Sequence, residues 1–197
     1  MTASMIGYPT HKRSASSASE PPNPSAESAL IIAVPEAEPL VKSFRERFAP
    51  SAAVGVPAHI TILYPFKPPH EITPAVHVEL RQFFAQFSAF EFTLAELRCF
   101  PEALYLIPSP DDRFRSLMRA VYERYPETPP YGGVFSEVIP HLTIADVKQA
   151  TQLDEIEREF MQLLGAQLPV KAYAQDVLLI DNVSGRWEAR QTFRLSE

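Results

Sequence analysis

The tetrapeptide His59-Ile60-Thr61-Ile62 returns 82 positions later as His141-Leu142-Thr143-Ile144, each time close behind a proline, Pro57 or Pro140. What surrounds it returns as well, which constrains the fold more than any other feature of the chain. The run ALIIAVPE from Ala29 resembles ALYLIPSP from Ala103, 74 positions on, each a short apolar strand closed by proline. After each run comes a helical pattern: Leu40, Val41, Phe44 and Phe48 in one half, Phe114, Leu117, Met118, Val121, Tyr122 and Tyr125 in the other. Proline-bearing loops, APSAAVGVP and PETPPYGGVFSEVIP, end both helices and lead into the two tetrapeptides.

A second helical pattern follows each tetrapeptide, HEITPAVHVELRQFFAQF and ATQLDEIEREFMQLLG, and then a strand, FEFTLAELRCF from Phe90 and LPVKAYAQDVLLID from Leu168. RWEARQTFRL reads as a closing strand behind the turn at Asp181 to Gly185. The result is an α+β protein: duplicated β-α-β-α-β units forming two similar lobes, with strands apolar on one face and helices to cover them. A pseudo-two-fold axis between the copies brings equivalent strands, and so His59 and His141, to one central cleft. Residues 27–197 are expected to form this single bilobal domain. Residues 1–26, rich in Ser, Pro and Ala, are expected to be a disordered tail.

Within each tetrapeptide the period of two puts His59 with Thr61, and His141 with Thr143, on one face of a strand, and the Ile and Leu residues between them on the other. With five histidines in the chain, two such matches at repeat-equivalent positions are an accident of about one in a thousand. Paired imidazoles suit general acid-base chemistry, because they titrate near neutrality and one can give a proton while the other takes one. Threonine hydroxyls beside them can donate to an oxygen that gains negative charge.

These motifs resemble the two-histidine (2H) phosphoesterase superfamily, which includes 2′-5′ RNA ligase-like proteins and cyclic nucleotide phosphodiesterases. The extension Leu63-Tyr64-Pro65-Phe66 and the loop Pro130-Tyr131-Gly132-Gly133 resemble a less characterised bacterial branch of it. The resemblance runs from about Ser28 to Leu195. It implies two antiparallel sheets with outer helices around a cleft, and His59, Thr61, His141 and Thr143 as catalytic residues. It also implies metal-independent hydrolysis of a 2′,3′-cyclic phosphate, or of a 2′-5′ linkage, at a nucleotide or RNA end. A ligase-type reverse reaction, or a module that only binds a phosphorylated ligand, are the alternatives. Tyr64, Phe66 and Tyr131 are candidates for contact with a base.

Composition narrows the partners. A formal charge of −6 opposes a broad grip on a nucleic-acid backbone, which leaves recognition of a terminus. His11, His70 and His77 lie in no cluster with metal-ligand spacing, so no metal and no other cofactor is expected. One cysteine, Cys99, gives no disulfide framework, and no segment is apolar enough for a signal peptide or a membrane span. A cytoplasmic monomer with no membrane association is therefore expected.

Overall fold

A computed structural model describes residues 26–134 and 138–197. The chain runs β1 (Ser28–Ala33), α1 (Glu38–Phe48), a short α2 (Pro50–Ala53), β2 (His59–Leu63), α3 (Pro74–Phe84) and β3 (Phe90–Cys99). It continues as β4 (Ala103–Ser109), α4 (Asp112–Arg124), β5 (Leu142–Asp146), α5 (Ala150–Leu164), β6 (Val170–Ala174), β7 (Asp176–Asp181) and β8 (Glu188–Arg194). The expected tail lies outside the described residues except for Ala26.

The strands make two four-stranded antiparallel sheets, ordered β2-β1-β7-β8 and β5-β4-β3-β6. The duplication read from the sequence extends to the register. Ile31 stands opposite Thr61 in the first sheet as Tyr105 stands opposite Thr143 in the second, and Leu30 opposite Leu63 corresponds to Leu104 opposite Ala145. Both pairs of strands shift register at the same place, between Leu30 and Ile31 and between Leu104 and Tyr105. A shared irregularity of this kind fixes which face each side chain takes, because a one-residue slip reverses every side chain.

The halves are not separable, however. β3 follows the helices of the first half but pairs with β4 and β6 of the second sheet. β7 follows the helices of the second half but pairs with β1 of the first. The segment LPVKAYAQDVLLID, which reads as one strand, is thus two: β6 and β7 part at Gln175 and join different sheets, and the Gln175 carbonyl accepts from the Leu195 N–H at 2.9 Å.

Helices cross over in the same way, α1 packing on β5 and α4 on β2. The main apolar cluster consequently draws on both sheets, with Leu30, Ile32, Ile60 and Ile62 from one and Leu94, Leu104, Leu106, Leu142 and Ile144 from the other. Phe44 of α1 meets Phe160 of α5 edge-on at 5.2 Å, and Phe114 of α4 meets Phe90 and Phe92 of β3 edge-on at 4.9 Å each. Each such side chain, fully buried, contributes roughly 1.5–3 kcal/mol of transfer free energy. The opposite face of the first sheet carries a smaller cluster of Ala29, Ile31, Val56 and Ile180, flanked by Tyr64, Leu178 and Trp187. Thr61, paired with Ile31, lies on that second face.

Candidate active site

β2 and β5 are the edge strands of their sheets and lie against each other, which brings the two tetrapeptides together. In both, the alternation is as the period of two demands. His59, Thr61, His141 and Thr143 are half-buried, and Ile60, Ile62, Leu142 and Ile144 are buried.

Each histidine is held by the same local device. His59 Nδ1 lies 2.7 Å from the Pro57 carbonyl oxygen, and His141 Nδ1 lies 2.6 Å from the Ile139 carbonyl oxygen. A carbonyl only accepts, so each Nδ1 carries the proton and donates it. In the neutral ring Nε2 therefore bears the lone pair, and it is the nitrogen left for proton transfer.

Burial pushes the pKa of His59 down to about 4, against the opposing pull of the Pro57 hydrogen bond, and the charges of Arg45 and His141 add to the lowering. Burial lowers His141 too, opposed by its bond to Ile139. The His141 ring is walled by Phe100 and Tyr105, edge-on at 5.3 and 5.2 Å, and these two stack on each other at 4.2 Å.

Of the candidate contact residues, Tyr131 stands next to the first histidine motif. Its hydroxyl shares a hydrogen bond with the Thr61 side chain, and its ring meets Tyr64 edge-on at 6.2 Å. Its backbone is left-handed at φ 51°, a conformation that costs a non-glycine residue about 1–2 kcal/mol, and its N–H donates to the Tyr64 carbonyl at 2.6 Å. Tyr64 is half-buried, donates its hydroxyl to Glu27 at 2.9 Å and packs edge-on against Trp187. Burial and the Glu27 carboxylate push its phenol up to about 12, so it stays a neutral donor.

Phe66 takes a different place from the one its sequence suggests. It is 4% exposed and packs edge-on against Tyr125, at the end of α4, at 5.1 Å, so its ring is core and not a surface for a base. The strand ends at Leu63, and beyond that point alternation no longer assigns a face.

Two features of the site escape a reading by residue type. One is the Phe100 and Tyr105 wall. The other is Arg45, buried on α1, whose Nη1 donates to the Thr143 carbonyl at 2.6 Å and whose Nη2 donates to the Val56 and Pro57 carbonyls at 3.0 Å each. The signal for it is positional: Arg45 follows Phe44 and lies four residues after Val41, on the apolar stripe of α1. Other cations are engaged elsewhere: Lys67 pairs with Glu127, Arg190 with Asp181, and Arg194 with Asp176. Among the described residues no group of three or more His, Cys, Asp or Glu side chains is placed to hold a metal ion, and no helix is long and apolar enough to cross a membrane.

Solved structures share this architecture. E. coli LigT complexed with NADP+ is similar at 16% identity and a TM-score of 0.55, covering 87% of this chain and 98% of that one. LigT complexed with 3′-AMP is similar at 13% identity and 0.56, with the same coverage. TT0787 of Thermus thermophilus is similar at 14% identity and 0.53, covering 85% and 97%. At such identities the likeness is one of fold. No curated protein matches this chain in sequence. Residues 33–185 match the family model described as the 2′-5′ RNA ligase superfamily. Running from the end of β1 to the turn before β8, over most of the chain and both histidine motifs, that match makes the chain a member of the 2′-5′ RNA ligase superfamily, whose enzymes are 2H phosphoesterases.

Proposed function

We propose that this protein is a metal-independent phosphoesterase that opens a 2′,3′-cyclic phosphate, or cleaves a 2′-5′ linkage, at the end of a nucleotide or RNA. The observation that carries this reading is the doubled histidine. Two imidazoles on adjoining edge strands, each with Nδ1 tied to a carbonyl two residues back, each keep Nε2 available for proton transfer. Opening a cyclic phosphate calls for that pair: one nitrogen takes a proton from water as its oxygen attacks phosphorus, and the other gives a proton to the departing ribose oxygen. Each transfer typically contributes about 10²–10⁴-fold. The phosphorus–oxygen bond to the ribose breaks as the bond to water oxygen forms, leaving a phosphomonoester.

Thr61 and Thr143, two residues on from the histidines, are suited to donate to non-bridging oxygens as charge grows on them. Burial favours the neutral form of both histidines, and an arriving phosphate anion favours placing a proton on one of them. The complexes of E. coli LigT with 3′-AMP, ATP, NADP+ and phosphate make a nucleotide the natural first substrate class to try. Tyr131 and Tyr64 supply aromatic surface beside Thr61 for a base.

The test incubates the protein with EDTA and a panel of cyclic-phosphate nucleotides and 2′-5′-linked dinucleotides, then repeats it with His59→Ala and His141→Ala. Turnover of at least one class by wild type, lost in both variants, is the expected result. An inert wild type, or variants that turn over like wild type, would sink the proposal.

A further inference from the structure

The two halves of the site differ at one buried residue. The apolar stripe of α1 aligns with that of α4 and its C-cap at a spacing of 77: Leu40 with Leu117, Val41 with Met118, Phe44 with Val121, Phe48 with Tyr125. In that alignment Arg45, 2% exposed, corresponds to Tyr122, 42% exposed. A charge has been taken into the core on one side of the duplication only.

Burying an arginine is costly unless its donors are satisfied, and here they are satisfied by backbone from both motifs. Nη2 donates to Val56 and Pro57, just ahead of His59, while Nη1 donates to Thr143, within the other motif. The one carboxylate that tempers its charge, Glu38, is itself occupied with the Ala58 N–H at 2.6 Å, one residue before His59.

We propose that Arg45 is the positioning residue of this site: its guanidinium bolts the His59 strand to the His141 strand and, standing on one side only of a duplicated pair, gives the two histidines different work. The inference rests on the reading of the histidines as a working pair.

The link to His59 is direct. The Pro57 carbonyl accepts from both Arg45 Nη2 and His59 Nδ1, so a fixed positive charge sits one shared oxygen away from that imidazole. Like charges repel, and the charged form of His59 is disfavoured by Arg45 on α1 and by His141 across the cleft. Thr61, two residues on along the same strand face, and Tyr131 bonded to it add neutral hydroxyls and no charge. His141 is instead enclosed by Phe100 and Tyr105, its Nδ1 bonded to a carbonyl that Arg45 does not share. The histidine that resists protonation is therefore His59, and a proton entering the pair settles on His141.

Histidine titration followed by NMR of the imidazole Cε1–H signals tests the difference between the two histidines without any substrate, so that part stands apart from the question of turnover. His59→Gln and His141→Gln spectra assign the two signals. In wild type His59 is expected to titrate at least about one pH unit below His141, and equal midpoints would overturn the inference. In Arg45→Met the His59 midpoint is expected to rise by about a unit or more with His141 unmoved. A folded Arg45→Met protein with the wild-type gap would overturn it equally. Arg45→Lys keeps the charge but cannot span three carbonyls, so it is expected to retain the low His59 midpoint and to lose roughly tenfold or more in kcat. Unchanged kcat there would refute the bolting role. Should Arg45→Met not fold, the wild-type gap and the lysine variant still decide the matter.

Discussion

Histidine Nδ1 on the carbonyl two residues back is the smallest unit of this site, and it settles what each ring can do. With that nitrogen committed as donor, Nε2 alone can exchange protons, and the threonine two residues on shares the strand face. Thr61→Val and Thr143→Val, which keep the shape and remove the donor, are each expected to lower kcat by about 10²-fold, measured on whichever cyclic phosphate the wild type accepts. Tyr131→Phe removes the hydroxyl bonded to Thr61 and is expected to cost about fivefold, the worth of one neutral hydrogen bond. At this scale the four motif residues were legible because duplication singled them out among otherwise ordinary positions. Arg45 was not, since arginine on a helix ordinarily faces water and only its place on the apolar stripe betrays it. Phe66 misled because an aromatic ring just behind a motif strand suits a base and the core equally well by residue type, and only the packing against Tyr125 decides between them.

A strand such as β2 serves two masters, and its faces can be separated by mutation. Ile60 is fully buried in the main core, so Ile60→Ala is expected to destabilise the fold by about 2–5 kcal/mol in urea unfolding, through lost transfer energy and the cavity left behind. Thr61→Val, next to it, is expected to leave the urea midpoint nearly in place while activity falls. Equal stability losses at the two positions would contradict the assignment of faces. The helices and strands themselves were readable from apolar period and from prolines at their ends. The division of LPVKAYAQDVLLID into β6 and β7 was not, because no proline or glycine marks Gln175 and both pieces carry strand-like side chains. What breaks it is tertiary: the two pieces pair with different sheets.

The whole molecule is bound by that exchange of strands. Because β3 completes the second sheet and β7 the first, a fragment of residues 27–101 has its last strand but not the partners of that strand. It is expected to lack a cooperative thermal transition by circular dichroism, and a well-folded fragment would show the halves to be independent. The histidines also set the acid response. Both bind protons less well folded than unfolded, so the unfolded state takes up more protons as pH falls from 6.5 towards 4. Stability is therefore lost through that window, by up to roughly 1.4 kcal/mol per pH unit from His59, with His141 acting in the same direction, and His59→Gln is expected to flatten the slope. Urea midpoints between about pH 4 and 7 for the two proteins measure this.

The central claim is that His59 and His141 act on one phosphate as a unit, and a double-mutant comparison reaches it most directly. Turnover of a 2′,3′-cyclic nucleotide is measured in EDTA for His59→Ala, His141→Ala and the double variant. Groups acting as a unit lose nearly everything with the first deletion, so both single variants should fall to about the level of the double. Single losses that multiply to give the double, or a single variant close to wild type, would mean that the two histidines do not share one reaction.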